Sequence, residues 1–234
     1  MKNKWLIFVI TVVAYTAVYF GMQHNLAIKT AALQAEPITV VIDAGHGGED
    51  GGAVSKDGIR ESEINLSISQ RLEQVLALCG IRTKMVRTSD QGVHTEGDTI
   101  HDRKVSDLKN RAAIVNETAP AVLVSIHQNH FEQEKYSGAQ VFYAASKDSK
   151  DLAAETQKRL RDALCPENRR ECKPADTVYL MEQINCTGIL VECGFLSNWN
   201  EAKLLQTSEY QTKLACAIAG ALAQFLEEGE HLEV

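Results

Sequence analysis

The stretch VVIDAGHGGEDGGA, Val40 to Ala53, runs an apolar segment into one histidine and then into a loop of glycine and acid. Taken from Ile38, the segment ITVVIDAG is a nearly continuous apolar run closed by glycine, the pattern of a buried strand. Glycine loses more conformational freedom on folding than any other residue, so a cluster of them marks sharp bending or close approach. The loop either cradles a phosphate or holds His46 open toward something else.

Outward from this strand the chain alternates. INLSISQRLEQVLALCG carries Ile64, Ile68, Leu72, Val75 and Cys79 as a helical stripe closed by Gly80. IRTKMVR reads as a strand, residues 89–101 as a polar loop, and Asp102 to Thr118 as a helix with Val105, Leu108, Ala112 and Val115 on one side. AVLVSIH and GAQVFYA read as strands, Lys150 to Leu164 as a helix, GILVECGF as a strand and Tyr210 to Leu226 as a closing helix. Strand–helix alternation predicts an α/β fold, a mostly parallel sheet flanked by helices.

At 234 residues the chain suits one such domain plus a short appendage. Hydrophobic content of 44% and charged content of 24% are those of an ordinary globular protein. A net charge of -7 argues against a nucleic-acid partner, which demands a basic face. The N-terminus differs in kind: Lys2 and Lys4 precede an uncharged apolar run, Trp5 to Met22. A helix of that length rises about 27 Å, enough to cross a hydrocarbon core. Residues 1–23 therefore read as a signal-anchor helix, or as a signal peptide cleaved at a poor small-x-small site, Ala32 to Ala35, with residues 24–36 a linker. Both readings place the domain outside the cytoplasm, membrane-anchored or secreted. Among the cysteines, Cys165 and Cys172 flank PENRRE and are candidates for a disulfide in an exported protein, while Cys79, Cys193 and Cys216 read as core.

Three apolar strands end in residues that carry chemistry: His46, His127, and Glu192 near the end of GILVECGF. Ligands of open α/β sheets bind at the carboxyl ends of the strands, so parallel strands would bring these side chains to one edge. Glu61 lies three residues before Ile64 on the apolar stripe, hence on the buried face, where an unpaired carboxylate is costly; Glu63 points elsewhere. Two imidazoles and one carboxylate with an open fourth position is a catalytic zinc set. Glu192, a second acid in apolar surroundings, then suits a general base. The phosphate reading weakens, because Glu49 and Asp50 would repel an anion and the glycine spacing is not that of a dinucleotide loop. Asp43 reads as support for the site or as a satisfied buried acid, Asn129 as substrate-binding or as a turn residue. His130 reads as a rim residue; His24, His94, His101 and His231 read as solvated. Trp199 and Tyr179 read as groove-lining or core.

The blocks VVIDAGHGGEDGGA, GIRESEINL, VSIHQN and ILVECGFLSN resemble, in order, the signature blocks of the zinc-dependent N-acetylmuramoyl-L-alanine amidases of the Amidase_3 family, from about Ile38 to Leu226. SGAQVFY and VYLMEQ further resemble its sporulation branch, which prepares spore-cortex peptidoglycan for muramic-δ-lactam formation. The resemblance implies a single domain, residues 37–230, with a twisted, mostly parallel six-stranded sheet. It implies one Zn2+ ion held by His46, Glu61 and His127, with Glu192 as the catalytic acid. The implied substrate is peptidoglycan, cut between N-acetylmuramic acid and L-alanine in the cell wall or forespore intermembrane space. A membrane contact through the N-terminal segment and functional coupling to a muramic-acid deacetylase go with that role. Two departures are Gly51–Gly52 where the family often has proline-glycine, and His130 where a small residue is usual. The competing readings are a catalytically silent murein-binding domain, a zinc carboxypeptidase acting within the stem peptide and, more distantly, a nucleotide-binding enzyme.

Overall fold

The computed structural model describes residues 37–232 together with Thr16, Tyr19 and Phe20. The strands are β1 (Thr39–Ala44), β2 (Thr83–Met85), β3 (Ala121–Asn129), β4 (Gln140–Tyr143), β5 (Lys173–Pro174) and β6 (Thr187–Phe195). They form one six-stranded sheet in the order β2-β1-β3-β6-β4-β5. The helices are α1 (Glu61–Leu78), α2 (Ile100–Asn116), α3 (Lys147–Leu164), α4 (Tyr179–Gln183), α5 (Trp199–Leu205) and α6 (Ser208–Leu232). The apolar strands β1, β3 and β6 lie side by side and parallel, and β2 extends them in parallel. GAQVFYA departs from that direction: β4 runs antiparallel to β6, and β5 follows β4.

Both faces are covered, as near-continuous apolar strands require. Val40, Ile42, Val124, Ile126 and Val191 pack against α1, α3 and α6, through side chains such as Ile68, Leu72, Leu160 and Ile218. Val41, Leu123 and Leu190 face the other way, onto Ala112 and Val115 of α2 and Leu180 and Met181 of α4. This alternation places odd- and even-numbered residues of each strand in different layers. The sheet-bearing unit of the chain is Ile38–Glu230.

Helix starts moved relative to expectation, for local reasons. The second helix begins at Ile100 rather than Asp102, because Thr99 and Asp102 form a reciprocal capping box. The third begins at Lys147 rather than Lys150, capped by the Ser146 hydroxyl, which accepts from the Ser149 amide at 3.1 Å. On α1 the buried stripe ends on Leu76; Val75 is half-buried and Cys79 exposed. Cys216 is also exposed, so of the three cysteines expected in the core only Cys193 lies there. Cys165 and Cys172 are both free thiols. Trp199 and Tyr179 are exposed, and the Lys203 ammonium stands 4.1 Å over the Trp199 ring. The short elements α4, α5 and β5 carry too few residues for a periodic signal. Among the described residues no helix is long and apolar enough to cross a membrane. Apart from Thr16, Tyr19 and Phe20, the expected anchor and the linker, with His24, lie outside the described residues.

Leu72 is fully buried between α1 and the sheet. Leu72→Ala is expected to lower stability by about 3 kcal/mol, as leucine truncations in close-packed cores do, with urea unfolding as the measurement. A loss below about 1 kcal/mol would contradict this packing.

Candidate active site

At the end of β1 the chain leaves the sheet and its carbonyls lose their strand partners. Two arginines replace them. Arg87 donates from Nε to the Ala44 carbonyl at 2.7 Å and from Nη2 to the Gly45 carbonyl at 3.0 Å. Arg111 donates from Nη1 to the Ala44 carbonyl at 2.9 Å and from Nη2 to the His46 carbonyl at 2.7 Å. Three successive carbonyls are thereby fixed, and His46 is held at φ 61°, the left-handed region, at a cost on the order of 1 kcal/mol. Arg111 is itself gripped by Asp43 and Asp107, and the other Asp43 oxygen accepts from the Ser125 hydroxyl at 2.7 Å. Burial alone would raise the Asp43 pKa, but the Arg111 guanidinium and the Ser125 hydroxyl hold it below the usual carboxylate value. Asp43 thus reaches the histidine loop through Arg111. The sequence reading missed both arginines; Arg111, set beside the apolar Ala112 and Val115 on one helix face and four residues after Asp107, was the available sign.

The loop then folds back over the start of α1. Arg60 offers no side-chain cap, and the helix's first amides donate instead to the loop: Glu61 to the Ala53 carbonyl at 2.8 Å, Ser62 to that of Gly51 at 3.1 Å. At Gly52, φ is +67° and a Cβ would stand 2.5 Å from Glu61 Oε2 and 2.8 Å from His46 Cδ2. The glycine clears space for these side chains.

Glu61 is 3% exposed, on the buried face as its spacing predicts, whereas Glu63 is exposed. Its Oε1 lies 3.4 Å from His46 Nε2 and 3.1 Å from His127 Nδ1. One ligand-type atom from each of His46, Glu61 and His127 lies within 4.8 Å of the others. His46 Nδ1 is 3.1 Å from Asp50 Oδ2, so this loop acid partners the imidazole. Burial would lower the His46 pKa, but Asp50 and Glu61 outweigh it and push it up to about 9. Burial would raise that of Glu61, but His127 and His46 drive it well below the carboxylate range. The cluster therefore recruits positive charge at a half-buried position, and its N2O donor set fits a zinc-like cation. Around it Glu61 Oε2 accepts from the Ala53 amide at 2.9 Å, and Oε1 from the Gln128 amide at 3.0 Å and the Asn65 side chain at 3.2 Å.

His127 and Glu192 are directly paired across β3 and β6. Glu192 has a different environment from Glu61: its Oε2 is enclosed and has no hydrogen-bond partner among the described residues. Burial pushes its pKa up to about 7, with His127 opposing. Asn129 lies just past a register irregularity between His127 and Asn129, and its carbonyl accepts from the Leu196 amide at 2.8 Å. His130, His94 and His101 are exposed.

A family model described as N-acetylmuramoyl-L-alanine amidase matches residues 40–224. The germination-specific N-acetylmuramoyl-L-alanine amidase of Bacillus subtilis (strain 168) is 34% identical over 98% of each chain. Among solved structures, the CwlD amidase of Clostridioides difficile, in complex with the GerS lipoprotein, is 40% identical with a TM-score of 0.79, covering 81% of this chain and 98% of that one. An N-acetylmuramoyl-L-alanine amidase from Clostridium difficile 630 is 29% identical with a TM-score of 0.72, covering 82% of this chain and 98% of that one.

Because the Asp43 pKa is depressed in the folded state, its contribution is present above the unfolded value, about 3.9, and is lost as pH falls through the folded value. Asp43→Asn removes the more buried of the two carboxylates that match Arg111, leaving Asp107, and is expected to cost about 3 kcal/mol at neutral pH. The deficit should shrink in acid; denaturant unfolding of both proteins from pH 7 down to pH 3 measures it. A deficit that stays constant over that range would exclude the ion pair as its source.

Proposed function

The chain belongs to the N-acetylmuramoyl-L-alanine amidase family, and on that premise we propose that His46, Glu61 and His127 hold one zinc ion beside Glu192 as proton carrier. The enzyme hydrolyses the amide between N-acetylmuramic acid and L-alanine of peptidoglycan. The observation that carries the site assignment is the meeting of two imidazoles and a buried carboxylate within 4.8 Å. A bound zinc ion would supply Lewis acidity to the scissile carbonyl and to a water.

The chain's own groups do the rest. His46, Glu61 and His127 hold their positions through the arginine-clamped loop, the start of α1 and the end of β3. Glu192, paired with His127 across β3 and β6, stands at the same end of the sheet beside the cluster, where its carboxylate suits the transfer of a proton from water. A pKa near 7 lets it accept that proton and return it to the departing alanine nitrogen without a large penalty in either direction. The product retaining the glycan carries a free lactyl carboxylate; the other is a stem peptide beginning with L-alanine.

The physiological role follows from the resemblance to the germination-specific enzyme. Removal of the stem peptide frees the lactyl carboxyl, and a muramic-acid deacetylase would free the amine that closes onto it as the δ-lactam. The enzyme would act outside the cytoplasm in spore-cortex maturation, tethered through residues 1–23. The complex of the CwlD amidase with a lipoprotein supports a lipoprotein partner for this chain as well.

Glu192→Gln is expected to keep its zinc and lose turnover by about a hundred- to ten-thousand-fold, read by metal analysis and by mass analysis of digested peptidoglycan. Near wild-type hydrolysis by this variant would remove Glu192 from the mechanism. His46→Ala should instead lose zinc together with activity, and chelator should silence the parent enzyme. Release of a C-terminal amino acid in place of the stem peptide would point to a carboxypeptidase.

A further inference from the structure

The three groups of the cluster come from three separate segments: the turn after β1, the first residue of α1 and the end of β3. Asn65 touches all three. It lies one turn after Glu61 on α1, so both side chains rise on one face, and it is fully buried. Its Nδ2 donates to the Gly45 carbonyl at 3.1 Å, next to His46, and to Glu61 Oε1 at 3.2 Å. Its Oδ1 accepts from Gln128 Nε2 at 3.1 Å, the residue after His127. The Gln128 backbone amide donates to the same Glu61 oxygen at 3.0 Å. The amide orientation is dictated chemically: a carbonyl and a carboxylate can only accept, so the NH2 must face them and the oxygen must face Gln128.

We infer that Asn65 is a positioning residue that sets the spacing of His46, Glu61 and His127 and so tunes metal affinity, an inference that rests on the zinc reading above. The amide fixes the Glu61 carboxylate plane by a donor on the oxygen that faces both imidazoles. Through Gly45 it ties that carboxylate to the turn bearing His46, and through Gln128 to the strand bearing His127. Outer partners of this kind act on a metal by holding ligand orientation, and their loss weakens binding by about 10- to 100-fold. Arg87 also holds the Gly45 carbonyl, and Gln128 and Ala53 also hold Glu61, so the fold does not hang on Asn65 alone.

The test uses the full-length chain with Asn65→Asp, which keeps the shape but turns a donor into a carboxylate facing Glu61, and Asn65→Leu, which keeps the volume without polar atoms. Ser69→Ala, another fully buried polar position on α1, is the control. Zinc affinity is read by competition with a chromogenic chelator, and folding by thermal melts in EDTA. Both Asn65 variants should still unfold cooperatively in EDTA, at a lower temperature than the parent, and bind zinc at least tenfold more weakly, with KM for peptidoglycan fragments unchanged at saturating zinc; Ser69→Ala should bind zinc as the parent does. Zinc affinity within threefold of the parent in a folded Asn65 variant would overturn the inference, as would failure of both variants to fold, which would make Asn65 a general core requirement. A parent chain that binds no zinc would sink the metal reading itself.

Discussion

The ion pair between Asp43 and Arg111, sealed under the end of β1, is the constraint on which the site depends. Where a strand stops inside a protein, its carbonyls still need donors, since a buried unpaired carbonyl is costly. No neighbouring strand serves Ala44, Gly45 and His46 in full, and two guanidiniums do much of that work because each carries five donors in a fixed fork. A buried guanidinium must in turn have its charge matched, which Asp43 and Asp107 do for Arg111. The left-handed turn at His46 is tolerable only because this arrangement fixes it from below.

On that base the fold places two carboxylates in opposed environments. Glu61 sits between two imidazoles and under backbone donors, so it stays charged despite burial. Glu192, on the strand paired with that of His127, has an enclosed oxygen with no hydrogen-bond partner among the described residues and is pushed toward neutrality. The first environment suits a permanent negative ligand and the second a group that exchanges protons. A divalent cation would relieve the electrostatic imbalance of the first and sharpen the contrast between the two.

How much of this was legible in the sequence depends on the kind of signal. The core strands, the long helices and the buried placement of Glu61 followed from apolar runs and from spacing along one helix face. His46, His127 and Glu192 were legible because histidine and glutamate are conspicuous at the ends of apolar strands. Asn65 and Gln128 carried no such mark: a neutral amide is common on any helix or strand, and its importance lies in what it reaches. Arg111 and Arg87 were hidden for the same reason, since arginine ordinarily reads as surface, and Cys79 and Cys216 misled because an apolar period alone does not say which side of a long helix meets the sheet.

The sequence by itself determined the class of fold, the order of its principal elements and the residue types available for chemistry, because periodicity and composition are local properties. Tertiary structure decided which of those residues meet. The parallel register that pairs His127 with Glu192, the antiparallel return of β4 and the arginine clamp around His46 all join residues far apart in the chain. Such meetings are selected by the packing of whole layers and by the demand that buried polar groups find partners, and neither can be read from one segment alone.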